Sequence, residues 1–232
     1  MYSIGVMIIK GNHPLKQEER AMKKILAIGM IAAFVLTGCQ SNAEVHEPVD
    51  VSGFGSLKTG DIVCFGEYEQ DNNPENGPEP IEWIVLNNSG ESIHLVSKYA
   101  LEMRVFDSNP NHSNWEKDNP DVRKWLEGDF YKQAFSAGEK DLIKDTAVGK
   151  VWLLQPDSVT AGAYFTSNEL RKCEATPYAI ANYDGHEINK SDHLCNWWLR
   201  SGGLVSKTGQ FTPWEDRPDT VNGVRPGIAV CY

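Results

Sequence analysis

Apolar and polar residues alternate from Asp61 to Tyr68 (Asp-Ile-Val-Cys-Phe-Gly-Glu-Tyr), a period of two that predicts a half-buried strand. Residues 71–80, rich in Asn, Pro and Gly, predict a loop. Ile81 to Leu86 and Ser92 to Ser97 then predict a hairpin around Asn87-Asn88-Ser89-Gly90. The middle of the chain changes period. Asn119-Pro120 predicts a helix start, with an N-cap and proline at the first helical position, and Val122, Trp125 and Leu126 form its apolar stripe. Gly128 is its expected stop. Ser136-Ala137-Gly138-Glu139 has the spacing of a capping box and predicts a short helix through Leu142 and Ile143. Val151 to Leu154 predicts a buried strand, and Thr176-Pro177 the cap of a helix over Tyr178 to Tyr183. Trp197 to Arg200 and Gly223 to Val230 return to strand patterns. Strands at both ends with helices between them make the expected class α+β.

The N-terminal region has a different pattern. Met22-Lys23-Lys24 is a basic start, and Ile25 to Leu36 is a mostly apolar run of signal-peptide length, too short to span a bilayer. It ends in Leu36-Thr37-Gly38-Cys39, which resembles the lipobox of bacterial lipoproteins. That resemblance implies diacylglyceryl transfer to the Cys39 sulfur and cleavage between Gly38 and Cys39. Two acyl chains give stable anchoring where one gives only marginal binding. Residues 1–21 are misplaced in front of such a signal. Lys16-Gln17-Glu18-Glu19-Arg20 can be encoded with an AGGAGG tract, so this stretch reads as a translated ribosome-binding site and Met22 as the true start. Peptides from residues 1–21 in the cellular precursor would refute that expectation. The expected organisation is therefore an upstream extension (1–21), a signal peptide (22–38), a lipidated tether (39–58) and one globular domain (59–232). The polar tether has a mean reach of roughly 25 Å. The protein is expected on the extracytoplasmic face of the cell membrane, held there by lipid on Cys39.

Charge narrows the partners. The 232 residues carry a net charge of -10, and the chain beyond Gly38 is near -13 because five of the 22 Lys/Arg precede it with only two of the 32 Asp/Glu. Such a surface repels nucleic acid and anionic head groups, so no nucleic-acid partner is expected. The globular part is long enough to bury roughly 70% of its unfolded surface in one core.

Five segments follow one another in an order that resembles a bacterial domain of unknown function, family 6273. They are Ile81-Glu82-Trp83-Ile84-Val85-Leu86, Val122-Arg123-Lys124-Trp125-Leu126, Phe130-Tyr131-Lys132-Gln133-Ala134-Phe135, Trp197-Trp198-Leu199-Arg200-Ser201 and Gly223-Val224-Arg225-Pro226. The resemblance covers about residues 59–232. The ending is also similar to the sulfatase-modifying and C-type-lectin-like folds, which implies a pairing of first and last strands and a ligand site in a long irregular region. Gly202-Gly203 stands where the family run continues with Pro-Gly, which implies a looser turn. If the terminal strands pair, Cys64 and Cys231 become neighbours, leaving Cys173 with Cys195. By themselves, four exported thiols allow three pairings or none.

The candidate chemistry is sparse. Cys173, His186, His193 and Cys195, with Asp184 and Asp192 nearby, contain zinc-type ligands at spacings matching no compact zinc pattern. Gln155-Pro156-Asp157 matches a tripeptide with which C-type lectins hold calcium and sugar, but the companion Trp-Asn-Asp is absent and a helix cap is the simpler expectation. The closely spaced cysteine pair of the sulfatase-modifying oxidases is missing, as are a G-x-S-x-G elbow, an H-E-x-x-H helix and a P-loop. No metal or cofactor is expected. Indole faces stack on sugars and guanidinium forks grip carboxylates, so Trp198, Arg200, Trp214 and Arg225 are the candidate ligand-binding residues. Their alternative is structural: alternation puts Trp198 and Arg200 on one strand face, and tryptophan is usually mostly buried. Trp214, in a polar loop, is expected to be the most exposed of the four. The leading functional expectation is a non-enzymatic binding module for a glycan, cell-wall fragment or surface protein. An unrecognised hydrolase or oxidase and a structural envelope protein are the alternatives.

Overall fold

The computed structural model describes residues 8–9, 49–183, 188, 191–213 and 217–232. The signal, the lipobox with Gly38 and Cys39, and Trp214 lie outside the described residues. The described chain contains eleven strands and seven short helices, so the fold is mixed α+β with two mostly antiparallel sheets. The strands are β1 (Ile8–Ile9), β2 (Ile62–Tyr68), β3 (Glu79–Asn88), β4 (Ser92–Ser97), β5 (Glu102–Val105), β6 (Val151–Trp152), β7 (Trp197–Trp198), β8 (Leu204–Val205), β9 (Phe211–Thr212), β10 (Val221–Val224) and β11 (Gly227–Cys231). Between β5 and β6 lie α1 (Trp115–Asp118), α2 (Asp121–Trp125), a π turn over Leu126–Phe130, α3 (Tyr131–Ala134) and α4 (Ala137–Leu142). Between β6 and β7 lie α5 (Pro156–Thr160), α6 (Asn168–Arg171) and α7 (Pro177–Ala181).

The first sheet has the order β1-β2-β3-β4-β11-β6 and the second β5-β10-β7-β8-β9, in which only β10 and β7 run parallel. Both sheets are covered on both faces. In the first, Val63, Phe65, Trp83, Val85 and Leu95 face one apolar cluster, whereas Ile84 and Val96 face a second. In the second sheet Trp198 and Val224 join the first cluster, and Trp197 and Val205 the other. Two adjacent tryptophans can both be buried because successive strand residues point to opposite faces.

The expected pairing of the first and last strands of the domain does not occur. The antiparallel β2–β3 and β3–β4 pairings occupy the inner edge of β2 and one edge of β4, and β11 enters on the free edge of β4, with Gly227 opposite Val96 and Cys231 opposite Ser92. Cys64 on β2 and Cys231 on β11 are therefore three strand spacings apart, about 14 Å, against the 7 Å or less that a disulfide tolerates. The strand expected over Gly223–Val230 is really two. Pro226 has no N–H for a ladder, and at Arg225-Pro226 the chain leaves the second sheet for the first.

The helical region also departs from expectation. Asn119 is not an N-cap but the left-handed C-cap of α1 (φ 45°), and Pro120 caps α2. Gly128 does not stop the helix. The chain runs through it as a π turn, because burying Leu126 and Phe130 outweighs the roughly 1 kcal/mol helix cost of a glycine. The capping box at Ser136 forms as expected, and Glu139 also accepts the Gly66 N–H at 2.8 Å, tying α4 to a bulge in β2. Gly66 has φ 71°, and a Cβ there would lie 2.5 Å from the Ala134 carbonyl oxygen. Only glycine fits that bulge.

Candidate functional site

Trp198 is fully buried; its indole N–H donates to the Arg104 carbonyl at 2.9 Å and its ring packs edge-on against Phe106. Arg225 is 1% exposed and lies where the chain crosses between the sheets. Its Nε donates to the Ser97 carbonyl at 2.7 Å and its Nη2 to the Lys98 carbonyl at 3.4 Å, at the end of β4. Its guanidinium lies 5.0 Å from the Trp197 ring centre and 5.4 Å from that of Phe165. Among the described residues Nη1 has no hydrogen-bond partner. Arg225 thus braces both crossings, β4 to β5 and β10 to β11. It also forms part of the wall of an open pocket of about 390 Å³, with Lys98, Tyr99, Lys172, Glu174 and Asp192.

Arg200 differs. It follows β7, and its backbone N–H donates to the Leu154 carbonyl at 2.8 Å, which brings Gln155-Pro156 beside it. The turn after it carries a hydrogen bond: the Gly202 N–H donates to the Leu199 carbonyl at 3.0 Å, and Gly202 takes φ 76°. Arg200 is only 7% exposed, yet its guanidinium makes no hydrogen bond among the described residues. It lines a pocket of about 260 Å³ with Ser113, Asn114, Trp115, Glu116 and Gln155. Burial lowers its pKa from the ordinary guanidinium value, opposed by nearby Glu116 and assisted by the like charge of Arg123. Arg123 is already committed, donating to the Trp115 carbonyl at 2.9 Å and to Glu127 at 3.3 Å. Trp115 is held under it by an indole N–H bond to the Val148 carbonyl, and Asn114 caps α1. A buried guanidinium with free N–H donors opening onto a pocket is suited to a carboxylate, which its planar fork matches with two parallel bonds.

The four candidates are therefore not gathered into one site. Trp198 and Arg225 belong to different apolar clusters, Arg200 faces its own pocket, and Trp214 lies outside the described residues. Gln155 and Pro156 do start a helix, α5, with proline at its first turn, and Gln155 also reaches the Arg200 pocket. That meeting could not be read from sequence, since 45 positions separate Gln155 from Arg200.

A third pocket, of about 330 Å³, is lined by His94, Trp152 and Tyr164; burial, with help from Lys144, lowers the His94 pKa. Glu102 is the most enzyme-like group. Burial raises its carboxyl pKa, and the Tyr68 hydroxyl donates to it at 2.8 Å, but it lines none of these three pockets.

Of the residues with zinc-type side chains, His186 lies outside the described residues, and among the described residues Cys173, His193 and Cys195 do not converge as a ligand triad. One acidic group, Glu69, Asp71 and Glu79, does bring carboxylate oxygens within 4.8 Å. Those oxygens accept the backbone N–H groups of Gln70, Asp71 and Asn73, so they order the 70s loop. All four described cysteines are free thiols. Cys173 and Cys195 are nonetheless neighbours: the Cys195 N–H donates to the Cys173 carbonyl at 3.0 Å. Among the described residues no helix is long and apolar enough to cross a membrane. Comparison with protein-family models, curated proteins and solved structures finds no match to this chain.

Proposed function

We propose that this chain is a lipid-anchored extracytoplasmic lipoprotein whose globular part is a non-enzymatic binding module. Its ligand is a carboxylate-bearing cell-wall fragment or acidic glycan end. The observation that carries this reading is Arg200, more than nine-tenths buried, with its N–H donors unused and open to a 260 Å³ pocket. A pocket of that size takes one sugar or amino-acid-sized group rather than an extended saccharide. The ordered run of basic residues, apolar stretch and Leu36-Thr37-Gly38-Cys39 supports export and lipidation at Cys39. The resemblance of residues 59–232 to domain family 6273, and of their ending to C-type-lectin-like domains, is consistent with a binding role and is part of the proposal.

The test is thermal unfolding of the full chain in detergent with carboxylate-bearing wall fragments, their amidated counterparts and neutral sugars. A ligand in hundredfold excess over its dissociation constant adds about 2.7 kcal/mol of stability. A rise with the carboxylate forms only, lost in Arg200→Ala, is the expected result. No rise with any of them, or an equal rise with the amidated forms, would sink the proposal. Cys39→Ala should release the protein from the membrane fraction; retention there would refute the lipid anchor.

A further inference from the structure

Cys173 and Cys195 lie on two segments joined by the isolated antiparallel bridge Glu174–Leu194. The Ala175 N–H donates to the His193 carbonyl and the Cys195 N–H to the Cys173 carbonyl, at 2.9 and 3.0 Å, so the two cysteines are directly opposite and point to the same face. Opposite residues in a hydrogen-bonded pair have Cα atoms about 5.5 Å apart, inside the range a disulfide spans. The Cys195 thiol donates to the Cys173 carbonyl oxygen at 3.6 Å, and the Cys173 thiol to the Glu174 carbonyl oxygen at 3.5 Å. Gly223 makes room for the Cys195 sulfur: a Cβ there would come within 2.9 Å of it. Both thiols are buried, beside the Arg225 guanidinium, whose Nη1 has no partner among the described residues. The flanking residues Lys172, Glu174, Asp192 and Leu194 line the 390 Å³ pocket, so the pair sits behind the seam where two of its wall segments meet.

We propose that Cys173 and Cys195 are a site of reversible disulfide formation, a redox-closable staple that locks the two wall segments of the Arg225 pocket together. This goes beyond the binding role at Arg200 and does not depend on it. The oxidant is a disulfide, either of a small thiol or of a dithiol carrier. The Cys173 thiolate attacks one sulfur of that disulfide, giving a mixed disulfide and expelling the first thiolate, which takes up the proton Cys173 lost. Cys195 then loses its proton and attacks the Cys173 sulfur, expelling the second thiol. Two cysteines are oxidised and one external disulfide is reduced to two thiols. The Arg225 charge beside Cys173 favours its thiolate as the attacking group. Burial pushes the Cys173 thiol up, but the Cys195 hydrogen bond and the Arg225 charge outweigh it and bring it below its ordinary value. Cys195 is raised, by its bond to Cys173 and by burial. Because both sulfurs are buried, exchange proceeds through local opening around Cys173 and Cys195, and the closed state resists casual oxidation.

The experiment equilibrates the native full-length chain in glutathione buffers from reducing to oxidising, quenches with acid, alkylates and digests with trypsin. Cleavage after Lys172, Lys190 and Arg200 puts the two cysteines on separate peptides, 173–190 and 191–200. The expected result is a linked 173–190/191–200 pair that appears on oxidation and disappears on reduction, while Cys64 and Cys231 stay alkylated. Hydrogen exchange across 172–183 and 191–195 should slow in the oxidised form. The proposal is overturned if Cys173 and Cys195 are alkylated at every potential, if either is found joined to Cys64, Cys231 or glutathione alone, or if exchange in those segments is unchanged on oxidation. The wild-type map needs no variant, so a folding defect in a cysteine substitution cannot obscure it.

Discussion

Arg225 and Arg200 are both buried arginines just beyond C-terminal strands, yet their surroundings assign them opposite tasks. Arg225 gives two of its nitrogens to the Ser97 and Lys98 carbonyls and lies close to Trp197 and Phe165, where the β4–β5 and β10–β11 crossings between the sheets meet. Arg200 makes no guanidinium hydrogen bond among the described residues and faces a pocket. Burying a charge is costly unless bonds compensate it. Where the fold supplies the bonds, the residue maintains the fold. Where it withholds them, the uncompensated donors are available to something else.

Four substitutions break or sharpen that contrast. Arg225→Ala has the largest expected effect, about 3–5 kcal/mol of lost stability, because it empties the volume beside the Trp197 and Phe165 rings and leaves carbonyls at the sheet crossing unsatisfied. Denaturant unfolding measures it, and a loss below about 1 kcal/mol would show that Arg225 does not hold the crossing. Gly223→Ala comes next, at about 1–3 kcal/mol, since its Cβ would lie 2.9 Å from both the Asn196 carbonyl oxygen and the Cys195 sulfur. Arg200→Ala should change stability by no more than about 1 kcal/mol, while abolishing the ligand-induced rise in unfolding midpoint. A large stability loss in that variant would erase the distinction between the two arginines.

The smallest effect concerns Glu102, whose folded-state pKa is raised, chiefly by burial. A carboxyl raised on folding favours the folded state in its protonated form, so its destabilising contribution sets in as pH rises through the ordinary carboxylate range and is complete above the raised value. Glu102→Gln removes that slope and should leave stability at pH 8 equal to wild type or higher, since the amide carbonyl still accepts from Tyr68. A variant less stable at pH 8 would show that ionised Glu102 is compensated, by Arg104 or by Tyr68.

Much of the local structure was legible. The alternation over 61–68, the hairpin after it and the capping box at Ser136 reported on interactions within a few residues, and the corresponding elements formed. The short strand β5 has the alternation Glu102-Met103-Arg104-Val105, but four residues are a weak signal in isolation. The helix through Gly128 was misread because propensity was weighed without the burial of Phe130. The candidate site was half legible: Arg200 and Gln155 were each conspicuous, while their common pocket was invisible.

The sequence by itself determined the α+β class, the positions of most turns and caps, and the acidic surface, because these depend on neighbours along the chain and on composition. Only the tertiary structure decided which strands pair, that Cys64 and Cys231 are apart while Cys173 and Cys195 are opposite, and which arginine is bonded and which is open. Those outcomes depend on contacts between segments far apart in sequence. Each is selected by the register and burial of the whole core, to which local pattern contributes only one term.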